Sequence, residues 1–180
     1  MRIIRDIHAE KQASGKPTIS FEFFPFKTPE GEATFLGKTL PALMTARPDY
    51  ASVTYGAGGS TREKTLEIVE RIQNDFGLTT MAHLTCIKHT QVEIGGILDE
   101  AARRGIQNIL ALRGDPPSGE EWAQTEGGFE FASELVEFLR ERGGFGIGAA
   151  GFPEGHIDCA EGRETDWRHL VGKIDRKSVV

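Results

Sequence analysis

The chain has 180 residues, 38% of them hydrophobic, which is enough material to bury a core of ordinary domain size. Its 21 basic and 27 acidic side chains leave a net charge of −6, which argues against nucleic acid or an anionic membrane surface as the main partner. No apolar run approaches the roughly 20 residues of a membrane span, the N-terminus lacks a basic-then-apolar leader pattern, and two cysteines are too few for a disulfide scaffold; a cytoplasmic protein is expected.

Short β-rich runs begin near Ile19, Tyr50, Thr80, Asn108 and Gly146, at about the 30-residue spacing of a βαβ unit. The first, Ile19-Ser20-Phe21-Glu22-Phe23-Phe24-Pro25, sets a carboxylate among phenylalanines, and strand alternation puts Glu22 on one side with Ser20 and Phe24. An enclosed glutamate resists ionisation, which suits a general acid; the other reading is a strand-end Glu turned to solvent or paired with Arg or Lys. The next stretch, Thr34 to Ala46, reads as a helix, but Pro41 inside it predicts a kink or a late start. The second strand ends Ser52-Val53-Thr54-Tyr55 and runs into Gly56-Ala57-Gly58-Gly59-Ser60-Thr61. That loop serves either as a tight turn or as an anion cradle at a helix N-terminus. Ser60 with Glu63 is a capping-box pattern, opening a helix that turns Leu66, Val69, Ile72 and Phe76 inward.

The third strand, Met81-Ala82-His83-Leu84-Thr85-Cys86, is followed by His89. With His156 and Cys159 these are metal-ligating residue types, but His83 and Cys86 fall on opposite faces of a strand, and no metal is expected. A lone strand histidine is more often hydrogen-bonded in the core or set against a ligand. Ile94, Ile97, Leu98, Ala101 and Ala102 keep helical spacing, and Gly105 stops that helix. The fourth strand, Asn108-Ile109-Leu110-Ala111-Leu112, leads into Arg113-Gly114-Asp115-Pro116-Pro117, an opposite-charge pair on a stiff turn. The pair reads either as an internal salt bridge or as two ligand-facing groups. Phe131, Leu135, Phe138 and Leu139 form another stripe, ended by Gly143 and Gly144. The fifth strand closes with Ala149-Ala150-Gly151-Phe152-Pro153-Glu154-Gly155-His156, and Asp166 to Lys177 reads as a last helix with Trp167, Leu170, Val171 and Ile174 on one side.

Strict β-then-α alternation predicts an α/β fold of parallel strands covered by helices. An open doubly wound sheet and a closed (β/α)8 TIM-type barrel both fit. No Gly-x-Gly-x-x-Gly follows a strand, which favours the barrel. Eight units need roughly 250 residues, so residues 1–180 read as a single partial barrel domain holding only the first five βα units. In either fold, function gathers at the carboxyl ends of the strands, where the polar residues above fall. Two open parallel edges favour self-association or a partner that covers them.

Phe21-Glu22-Phe23-Phe24-Pro25, Val53-Thr54-Tyr55-Gly56-Ala57, His83-Leu84-Thr85-Cys86, Ala111-Leu112-Arg113-Gly114-Asp115 and Phe152-Pro153-Glu154-Gly155-His156 resemble the methylenetetrahydrofolate reductase family, in its order and spacing. The resemblance implies a barrel that binds FAD and reduces 5,10-methylenetetrahydrofolate to 5-methyltetrahydrofolate with NADH or NADPH. It implies that Glu22 protonates the folate amine, opening the five-membered ring to an iminium that takes hydride from reduced flavin. It makes Asp115 the aspartate beside flavin and folate, whose charge favours the cationic intermediate. Thr54, Tyr55 and Ala57 match positions lining flavin and nicotinamide, and His83, Arg113 and Gly114 match flavin contacts. Ala132 matches the cofactor-facing start of a helix, while Phe152, His156, Asp166 and Lys173 match later flavin contacts, Lys173 as a phosphate partner. Phe26 departs from a usual proline, and Phe131 and Phe152 stand where tyrosines are common. After Asp175 the chain reads Arg176-Lys177-Ser178-Val179-Val180, without the family's sixth strand and its folate- and nicotinamide-binding glutamine and phenylalanine. The chain is therefore expected to be the reductase's amino-terminal portion, active itself or a truncated, incompetent fragment that needs a partner for the missing strands.

Overall fold

A computed structural model describes residues 1–56, 62–116, 119, 123–156, 159 and 161–175. Its centre is a five-stranded, wholly parallel sheet in sequential order: β1 (Ser20–Phe23), β2 (Tyr50–Val53), β3 (Thr80–Thr85), β4 (Asn108–Leu112) and β5 (Gly146–Ala149). Sequential parallel order with a helix in each connection is the arrangement of a barrel, here not closed: β1 and β5 do not pair.

Register decides which residues share a face. Glu22 lies opposite Ser52, Val53 opposite Ala82, and Leu110 opposite both His83 and Gly148. One face therefore carries Ala51, Val53, Ala82, Leu84, Ile109, Ala111 and Ala149, all buried in the apolar core. Helices α4 (Arg62–Phe76), α5 (Gln91–Arg103) and α6 (Ala132–Arg142) cover that face with Leu66, Val69, Ile72, Ile94, Leu98, Leu135 and Leu139. The opposite face is the concave side of the arc and bears Glu22, Ser52, Met81, His83, Leu110 and Gly148.

The helices follow local chemistry. Thr90 caps α5: its hydroxyl accepts from the Glu93 N–H at 3.2 Å, and the Glu93 carboxylate accepts from the Thr90 N–H at 2.8 Å. Ala102, expected on the inner stripe, is exposed, so only Ile94, Ile97, Leu98 and Ala101 of that stripe are buried. The late start that Pro41 suggested does not occur, since helix begins at Pro29. Instead α2 (Pro29–Thr34) passes through a π turn, Phe35–Thr39, into α3 (Leu40–Met44). The Leu40 N–H reaches back to the Phe35 carbonyl, and this wider turn absorbs the donor that proline lacks. Ser60 of the expected capping box lies outside the described residues. The last helix, α7 (Arg163–Asp175), begins earlier than expected, and its apolar side is not buried: Trp167, Val171 and Ile174 are each at least 40% exposed.

A helix not foreseen from the sequence, α1 (Ile4–Ala13), closes the amino-terminal end of the strands. Its start is clamped by buried Asn108, which accepts from the Ile4 N–H at 2.9 Å and donates to the Arg2 and Thr80 carbonyls at 2.9 and 3.2 Å.

Candidate active site

At the carboxyl end of the arc the first three strands bring together Glu22, Ser52 and His83. The Ser52 hydroxyl donates to Glu22 Oε2 at 3.2 Å, and His83 Nε2 stands 3.3 Å from the same oxygen. His83 is buried, whereas 52% of the Glu22 side chain is exposed. Of the two readings of Glu22, the structure has the half-exposed carboxyl rather than the enclosed one: the phenylalanines that flank it in sequence, Phe21 and Phe23, point to the other face, where Phe23 packs on Phe35. Burial lowers the His83 pKa, with the Glu22 charge pulling weakly the other way, so the imidazole is neutral near pH 7. Among the described residues its Nε2 makes no aligned hydrogen bond, and neither does the Thr85 hydroxyl two residues on, also buried.

Thr54 follows β2; its N–H bonds the Phe23 carbonyl at 2.9 Å and its own carbonyl accepts from Thr65 at 2.9 Å, which ties the loop to β1 and α4. Tyr55 is half-buried, its ring 6.3 Å from that of His89. Ala57 lies outside the described residues. At the end of β4, the Leu112 and Arg113 carbonyls accept from the Cys86 and Ile87 N–H groups at 3.0 Å, prolonging the β3–β4 ladder past both strands. Gly114 follows at φ +85°, pressed against Thr85 and Ile87, and presents half-buried Arg113 and exposed Asp115 on either side. Cys86 is buried, its thiol pushed up to about 11 by burial, so it is no nucleophile near neutrality. Among the described residues no three His, Cys, Asp or Glu side chains gather as a metal site.

Ala132 opens α6, where the Glu134 carboxylate accepts from the Glu130 and Phe131 N–H groups at 2.7 and 2.8 Å. Phe152, His156, Asp166 and Lys173 form a second cluster. Phe152 meets His156 edge-on at 4.5 Å, the His156 N–H donates to Asp166 at 2.9 Å, and Lys173 donates to the Ala150 carbonyl at 3.0 Å. Burial lowers the Lys173 pKa while Asp166 raises it. Ser52 and Thr85 were not singled out from the sequence. Each was legible by alternation: Thr85 is two residues from His83, and Ser52 is two before Thr54. Two cavities are lined by other residues. One of about 510 Å³ is on the outer helices beside Glu32 and Arg71, and one of about 260 Å³ lies under α1 against Met81, Leu110 and Gly148, on the same sheet face as Glu22 and His83.

A wholly parallel βα sheet in sequential order, with polar side chains at the carboxyl ends of its strands, defines part of a β/α-barrel domain. The family model described as Methylenetetrahydrofolate reductase matches residues 6–178. The chain is 43% identical over 186 residues to Methylenetetrahydrofolate reductase (NADH) 1 of Zea mays, covering 97% of this chain and 31% of that protein. It is 37% identical over 164 residues to the 5,10-methylenetetrahydrofolate reductase of Escherichia coli, covering 91% of this chain and 53% of that one. The chain belongs to the methylenetetrahydrofolate reductase family, and it spans about a third to a half of the length of these relatives.

Proposed function

We propose that this chain takes part in the reduction of 5,10-methylenetetrahydrofolate to 5-methyltetrahydrofolate by NADH or NADPH through bound FAD, a cytoplasmic step of one-carbon metabolism and methionine biosynthesis, with residues 1–180 acting as one partial FAD-binding barrel domain. The observation that carries the reading is the Glu22 carboxyl, solvent-reachable at a strand end beside a buried, neutral His83. A charged His83 would hold Glu22 as its anion; a neutral one leaves it free to carry a proton.

The residues fit a flavin. Among the described residues, buried His83 Nε2 and Thr85 Oγ1 make no hydrogen bond, and on the same face of the sheet as His83 Leu110 is apolar and Gly148 adds no side chain. His83, Arg113, Gly114 and Ala132, with Phe152, His156, Asp166 and Lys173, would hold it. Thr54, Tyr55 and Ala57 would line flavin and nicotinamide. When bound, FAD supplies a hydride relay between nicotinamide and folate. Glu22 gives its proton to the folate amine nitrogen; the C–N bond breaks with its electrons to that nitrogen, and an iminium remains at the substrate carbon. Asp115 sets a negative charge where this cation develops. Water then returns a proton to Glu22, which its exposure permits.

Free outer edges on β1 and β5, with the exposed Trp167, Val171 and Ile174 of α7, favour self-association or a partner that covers them before turnover. The test of the acid is Glu22→Gln. Hydride transfer from nicotinamide to flavin should stay within about threefold of wild type, while folate reduction falls by about 100-fold or more. Equal loss of both half-reactions would remove Glu22 from this role.

A further inference from the structure

We propose that Ser52 is a positioning residue for the Glu22 carboxyl, tethering Oε2 from the neighbouring strand so that Oε1 is the oxygen that carries the proton to substrate. This deepens the reading of Glu22 as general acid and rests on it.

Three observations support the tether. Ser52 lies in register opposite Glu22, so a short hydroxyl side chain on a rigid strand meets the carboxyl directly. Ser52 is 6% exposed and Glu22 is half exposed, which makes the serine the fixed anchor and the carboxyl the mobile end. Among the described residues, the contacts to Glu22 from both β2 and β3 fall on Oε2, the Ser52 hydroxyl at 3.2 Å and His83 Nε2 at 3.3 Å. A glutamate released from such a contact would sample several rotamers in water, and a general acid works only within hydrogen-bond reach of its acceptor.

The bonding also suits both states of the reaction. Ser52 donates to Oε2 whether or not Oε1 carries a proton. After Oε1 has given its proton to the amine nitrogen, the same bond steadies the carboxylate until solvent reprotonates it. His83 stays neutral through this exchange because it is buried, and Glu22 is the charge that acts on it.

That last relation provides a readout independent of turnover. The Cε1–H resonances of the five histidines can be followed against pH by NMR in the full chain, His83 being assigned with a His83→Gln variant. Glu22 raises the His83 midpoint while it is held at Oε2. In Ser52→Ala the carboxyl swings toward water, and the His83 midpoint should fall by about 0.5 pH units toward the Glu22→Gln value. Ser52→Thr, which keeps a hydroxyl, should restore it. In the flavin-loaded protein, Ser52→Ala should slow folate reduction by about 10-fold and leave flavin reduction by NADH unchanged, with Ser52→Thr recovering most of the loss. A His83 midpoint that stays or rises in Ser52→Ala, in a protein whose circular dichroism matches wild type, overturns the tether. So does a threonine variant that behaves like alanine. If the midpoint falls as expected but Glu22→Gln still reduces folate normally, the tether holds, and the assignment of Oε1 falls with the functional reading.

Discussion

Gly114 offers the sharpest structural prediction, because two independent costs meet at one atom. Its φ of +85° is a conformation that an L side chain enters at about 1–2 kcal/mol. An alanine Cβ there would stand 2.7 Å from Ile87 Cγ2 and 2.7 Å from Thr85 Cβ, both held on the β3 end. Pushing a methyl into occupied space adds about 1–3 kcal/mol. Gly114→Ala should therefore lose roughly 2–5 kcal/mol, a large share of an ordinary domain's stability. Gly105 supplies the control, since it ends α5 at φ +71° with nothing within 4 Å of its would-be Cβ. Gly105→Ala should lose only the backbone cost, about 1–2 kcal/mol. Urea unfolding followed by circular dichroism measures both. Equal losses would refute the close approach of β3 to the Arg113-Gly114-Asp115 turn. The turn also carries proposed flavin contacts, so Gly114→Ala should weaken FAD binding where Gly105→Ala does not.

Asp115→Asn removes a negative charge proposed to lie beside the flavin and should raise its reduction potential, measured against a reference dye; an unchanged potential separates Asp115 from the cofactor. Asn108→Ala breaks the two bonds that clamp the start of α1 and a third to the Thr80 carbonyl, and should cost about 2–4 kcal/mol in thermal unfolding; a loss below about 1 kcal/mol would mean that α1 is held otherwise. His83 is held below its usual 6.5, so as pH falls through 6.5 the unfolded chain takes up a proton that the folded chain refuses. Wild type should thus lose stability below that pH relative to His83→Gln, and parallel pH curves would contradict a buried neutral imidazole.

The strands were legible because each is a short, largely apolar run, and all but β3 are followed closely by glycine or proline; every expected start falls within one residue of the observed strand. Legibility failed where the determinant is tertiary. Helix α1 is largely polar, with only Ile4 and Ile7 buried, and its start is set by Asn108 from β4, a contact that no local pattern announces. The phenylalanines around Glu22 left enclosure and exposure both open; alternation sends Phe21 and Phe23 to the helix-covered face, Phe24 is exposed, and the carboxyl is half exposed. Pro41 marked a disturbance correctly, but whether a helix kinks or widens depends on how Phe35, Leu36 and Leu40 seat in the core. In α7 the periodicity was present, and the described residues do not bury it. The site residues were readable as separate strand ends. Their pairing across strands, Ser52 to Glu22 to His83, came only with the register.

The central claim is that these five strand ends assemble a flavin site that accepts hydride. It is tested most directly by adding FAD to the purified chain, removing the excess and recording the visible absorbance before and after anaerobic NADH. A retained, protein-bound flavin spectrum that bleaches on NADH is the predicted result. A chain that retains no flavin, or retains flavin that NADH leaves oxidised, would contradict it.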